Sequence, residues 1–66
     1  MRFEVGHMKD DSDVAILTCA MHTVDPDAKV NVHVNTRTVE IDSWLFAEEF
    51  LVAFAEAGYD VKLAER

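Results

Sequence analysis

The stretch KVNVHVN at residues 29–35, followed by TVEID at 38–42, decides how this chain folds. Val30, Val32 and Val34 project to one side, while Asn31, His33 and Asn35 project to the other. A repeat of two with β-branched residues on one face is the pattern of a half-buried strand. Asn35-Thr36-Arg37 supplies a turn. Thr38 to Asp42 resumes the alternation with Val39 and Ile41, so the two runs form a hairpin.

Outward from this hairpin the period changes. Upstream, Val14, Leu17, Met21 and Val24 recur at helical spacing and predict a helix from about Ser12 to Thr23, its apolar stripe turned toward a sheet. The polar run Lys9-Asp10-Asp11-Ser12-Asp13 precedes it, and Asp and Ser suit the free N–H groups and the positive dipole end of a helix start. Asp25-Pro26-Asp27 ends it, since Pro cannot continue the hydrogen-bond ladder. Downstream, Phe50, Leu51, Phe54 and Ala57 form the stripe of a second helix over about Phe46 to Ala57. Glu48, Glu49 and Glu56 lie outside that stripe, and Gly58 stands at the C-terminal cap. Arg2 to His7, with Phe3 and Val5 on one face, reads as a first strand ended by Gly6. Val61 and Leu63 read as a last one.

The order is β-α-β-β-α-β. Two right-handed crossovers place both helices on one face of a four-stranded antiparallel sheet. This α+β sandwich is the ferredoxin-like architecture. Residues 1–66 make a single domain, near the lower size at which a core alone supports folding.

Composition narrows function. Thirteen acidic and six basic side chains give a net charge of −7, which repels phosphate backbones and disfavours nucleic acid. The same charge favours a protein partner with a basic docking face. No stretch nears the roughly 18 apolar residues of a membrane span, so no membrane insertion is expected. No secretory h-region is visible in MRFEVGHMKDD. One cysteine, Cys19, excludes an internal disulfide and suits a reducing, cytoplasmic setting. Two glycines leave no phosphate loop, and no nucleophile-His-acid pattern appears, so an enzyme is not expected.

Val5-Gly6-His7-Met8, Val24-Asp25-Pro26-Asp27-Ala28, Thr38-Val39-Glu40-Ile41, and Ala47-Glu48-Glu49-Phe50-Leu51 running to Glu56-Ala57-Gly58-Tyr59 fall in an order that resembles the heavy-metal-associated (HMA) domains of copper chaperones over nearly the whole chain. The family's Met-x-Cys-x-x-Cys motif would begin at Met8, and here both cysteine positions are occupied by aspartate, Asp10 and Asp13. The resemblance implies that Met8 packs beneath the metal loop and that Tyr59 lies near it. It also implies metal handling, though Cu(I) is held by thiolates and carboxylates suit harder ions.

Several residues are candidates for a site. His7, Asp10 and Asp13 stand three apart and would offer a borderline divalent ion (Zn, Ni or Co) one imidazole and two carboxylates; alternatively the aspartates simply cap the helix. Cys19 and His22, at i and i+3, share a helix face and make half a tetrahedral site, or else a surface thiol beside a surface histidine. His33 lies on the sheet face opposite the valines. Leu45 and Phe46 are placed to staple the second helix. Trp44 is either core or an exposed partner contact. Two functions follow: a metal-handling domain with a diverged loop, or a domain that binds no metal and serves as a protein-interaction module.

Overall fold

The computed structural model describes residues 1–65. The chain runs β1 (Arg2–Val5), α1 (Asp11–Val24), β2 (Lys29–His33), β3 (Thr38–Asp42), α2 (Ala47–Glu56) and β4 (Val61–Glu65). The strands form one antiparallel sheet in the order β2-β3-β1-β4. Each helix therefore links two parallel strands that have a third strand between them, and the expected βαββαβ sandwich is the observed one.

The hairpin register explains the core. Val30 lies opposite Ile41 and Val32 opposite Val39, so their side chains share the helix-facing side. Phe3 sits between Val39 on one neighbour and Leu63 on the other. Above them pack Leu17 and Met21 from α1, and Ala47, Phe50 and Phe54 from α2. The Phe3 and Phe54 rings meet at 5.1 Å with a 56° tilt, within the range of favourable edge-to-face contacts. Met8, in the connection between β1 and α1, is buried in the same core.

Some boundaries differ from expectation. β1 stops at Val5 rather than His7; the Gly6 N–H makes one last bond across to the Asp60 carbonyl before the chain turns into the loop. β2 stops at His33 rather than Asn35, since the Val34 carbonyl accepts the Arg37 N–H and closes the turn. Of the α1 stripe, Leu17 and Met21 are buried, while Val14 and Val24 are half-buried at its edges. Phe46 does not staple α2: it points outward and is 75% exposed, and Leu45 alone packs against the core.

The crossovers give the molecule two ends. The Val5 N–H bonds the Arg37 carbonyl and the Gly6 N–H bonds the Asp60 carbonyl. The β1–α1 loop, the β2–β3 turn and the α2–β4 loop thus share one pole. The α1–β2 and β3–α2 connections share the other.

Candidate metal loop and its surroundings

Residues 7–13 carry the chemistry expected of a metal loop. Asp10 is the N-cap of α1, and its Oδ1 accepts the Ser12 N–H at 2.9 Å. Asp13, three residues on, reaches back. Its Oδ2 accepts the Lys9 N–H at 2.7 Å and the Asp10 N–H at 3.2 Å. This is a reciprocal capping box with aspartate in both roles. Two carboxylates in the first turn also suit the helix dipole.

Asp13 has one more partner. The Tyr59 hydroxyl donates to its Oδ1 at 2.5 Å, across 46 residues of sequence. The end of α2 sets Tyr59 there. Gly58, at φ 90°, takes the left-handed conformation that ends the helix; its N–H bonds the Ala55 carbonyl, and the Tyr59 N–H bonds the Phe54 carbonyl. That pair of bonds is a Schellman cap, and it fixes the residue after the glycine. The electrostatics follow. The Tyr59 hydroxyl, then the Lys9 and Asp10 amides, hold the Asp13 carboxyl below its ordinary range. Burial, and then the Asp13 carboxylate, push the Tyr59 phenol up to about 12.

The other candidates are placed as follows. His7 is exposed on the loop. Among the described residues no three His, Cys, Asp or Glu side chains are gathered as a metal-holding group, so His7, Asp10 and Asp13 do not form a ready-made shell. Cys19 is a free, exposed thiol. The nearby His22 is half-buried, and its Nε2 lies 3.0 Å from the Ala28 carbonyl, tying α1 to the turn before β2. That contact engages one of its two ring nitrogens. His33 stands 3.5 Å from Glu40 on the bare face of the sheet. Trp44 is 84% exposed, so the core alternative falls.

Sequence reasoning missed Asp25. It is the C-cap of α1 and is buried, and its carboxylate accepts the Ser43 hydroxyl at 2.6 Å and the Asp27 N–H at 3.1 Å. An acid beside Pro signals a turn, but nothing local marks a partner 18 positions away.

No family model matches the sequence, and no curated protein matches it either, but solved structures do. One, determined in work on crosstalk between Cu(I) and Zn(II) homeostasis, is 31% identical, covers 94% of this chain and 98% of its own, and superposes with a TM-score of 0.89. The copper chaperone Atx1 from Synechocystis PCC6803, in a trimeric form, is 29% identical over 94% of this chain and 98% of its own, at a TM-score of 0.90. The chain is a member of this Atx1-type, heavy-metal-associated fold family. A gold binding protein is also similar, at 26% identity, 94% and 95% coverage and a TM-score of 0.90.

Within the heavy-metal-associated fold, the donor set of this chain does not fit Cu(I). The loop offers imidazole and carboxylate, and its one sulfur, that of Met8, is buried. Cys19 lies six residues beyond Asp13 along α1, about 9 Å at a helical rise of 1.5 Å per residue. A soft ion has no thiolate at the position where copper chaperones would hold it. Both oxygens of Asp13, and one of Asp10, already accept hydrogen bonds.

Proposed function

We propose that this domain takes part in metal handling on the frame of a copper chaperone, without itself carrying Cu(I). It docks to a protein of metal transport that presents a basic face, and its loop meets divalent ions of the Zn, Ni or Co class only weakly. The observation that supports this most is the pairing of a chain-long likeness to metallochaperones with aspartate at both positions where thiolates would serve. A divalent ion at His7, Asp10 and Asp13 would have to displace the amide and phenol protons that hold Asp13, and that competition keeps affinity low. The acidic surface steers association with a basic partner. An exposed, free Cys19 accords with a cytoplasmic setting. No catalytic role is proposed.

A second reading has its own support. Both oxygens of Asp13 accept hydrogen bonds from the chain, three in all, so the carboxylate is already engaged in capping the helix and holding Tyr59. On that reading the domain binds no metal and acts only as an interaction module.

Backbone amide NMR during titration with Zn(II), Ni(II) and Co(II) separates the two. Shifts confined to residues 7–13 and 59, abolished by Asp10→Ala with Asp13→Ala, support metal handling at the loop. Shifts confined to Cys19 and its helix place the ion elsewhere. Silence with all three ions leaves the interaction module.

A further inference from the structure

The pole opposite the loop carries the most exposed large apolar side chains of the described residues, Trp44 at 84% and Phe46 at 75%. They are not loose. Ser43 is pinned, donating to the buried Asp25 carboxylate at 2.6 Å and accepting the Leu45 N–H at 3.1 Å. Leu45 packs inward and Ala47 is buried. The Phe46 N–H is held by Glu49 Oε2 at 3.1 Å. The segment therefore alternates: Trp44 out, Leu45 in, Phe46 out, Ala47 in. Two exposed aromatics two residues apart are thus carried on a backbone fixed before and after them. Exposing both in water is unfavourable.

We infer that Trp44 and Phe46 form a docking surface for a protein partner that offers an apolar pocket with a basic rim. Fixed aromatics make strong anchors because little conformational freedom is lost when they are buried. The charge around them selects the partner. Asp27, Asp42, Glu48 and Glu49 are exposed near these aromatics, while Lys29 and the N-terminal ammonium lie on the sheet side of this pole, the latter bonded to the Ile41 carbonyl. An acidic rim repels anionic headgroups, and a net charge of −7 opposes a second copy of the chain. The surface stands about 20 Å from the loop, the length of the 14-residue α1. It does not depend on whether the loop meets metal, and it leaves the loop open when occupied.

Trp44 is the only tryptophan in the chain, so its emission reports this pole alone. The probe is a synthetic amphipathic helix of about 18 residues with a leucine face and an arginine face. Its control has serine in place of leucine. The full chain should show a saturable blue shift with the leucine peptide and bind the serine peptide at least about tenfold more weakly. By calorimetry, Trp44→Ala and Phe46→Ala should each weaken binding about tenfold, and added salt should weaken it further. Ile16→Ser, at another exposed apolar side chain on α1, should leave it unchanged. Both aromatics are exposed, so their variants keep the native amide spectrum. The inference is overturned if Trp44→Ala binds as the parent does, if both peptides bind equally, or if Ile16→Ser weakens binding as much. It is equally overturned if the same blue shift comes from concentrating the protein alone or from adding phosphatidylglycerol or phosphatidylcholine vesicles.

Discussion

The two helices begin in opposite ways. α1 starts at the loop pole with a carboxylate at its N-cap and a second one closing the box. α2 starts at the far pole with phenylalanine at its N-cap, which has no polar atom to offer; only Glu49 reaches back, to the Phe46 N–H. Where the family resemblance places metal ligands, this chain has residues that stabilise its own backbone. Where a stabilising Ser or Asp would serve, it has an exposed aromatic. The contrast teaches that the loop meets its own backbone groups with carboxylates, while the far pole leaves two large aromatics exposed.

The variants that test this contrast are ordered by expected size. Phe54→Ala removes a fully buried core side chain whose ring contacts Phe3. It should cost about 3–5 kcal/mol, against a total of about 3–10 kcal/mol for a domain of this size. Loss of amide-shift dispersion would register it, and a folded, cooperative variant would mean that the core is differently centred. Asp10→Ala removes the α1 cap and should cost about 1 kcal/mol, a fall in Tm of about 4–8 °C. Phe46→Ser runs the other way. It gives α2 the cap that it lacks and should raise stability by a few tenths to about 1 kcal/mol, while weakening the docking proposed at that pole. If Asp10→Ala and Phe46→Ser shift Tm in the same direction, the contrast between the helix starts fails.

A pH series sharpens the loop half. The Asp13 carboxyl is held below its ordinary range in the folded chain, so its contribution is present above that range and is lost as pH falls through the folded value. Tyr59 is raised to about 12, so its contribution is full below the ordinary phenol value and is lost as pH climbs from there toward 12. Tyr59→Phe should flatten the alkaline limb of Tm against pH. In the parent, phenolate absorbance should titrate near 12. Asp13→Asn should bring that midpoint down but not to 10, because burial is the larger cause. A midpoint in the parent no higher than that of Asp13→Asn would mean that the Asp13–Tyr59 bond does not persist in solution.

Much of this was legible in the sequence. The valine alternation at residues 29–34 and 39–41 carried the hairpin, and the spacing of Leu17, Met21, Phe50 and Phe54 carried both helices, because period is a local property. Asp10 and Asp13 were readable as caps for the same reason. The Tyr59–Asp13 bond and the Ser43–Asp25 bond were not, since each joins residues brought together only by the crossovers. Nor did the sequence resolve Trp44. An aromatic between two elements has no periodic neighbours to say which way it faces, and its direction is set by Ser43 and Leu45 on either side.

On the reading proposed above, the frame of a thiolate metal site surrounds two carboxylates, Asp10 and Asp13. Cu(I) competition against a chromophoric chelator, under reducing conditions, tests it when the native chain is set beside Asp10→Cys with Asp13→Cys. The native chain should leave the copper on the chelator, with its amides at residues 7–13 unmoved, and the double variant should take up one equivalent as a monomer. Stoichiometric capture by the native loop, or a folded double variant that captures none, would contradict the account.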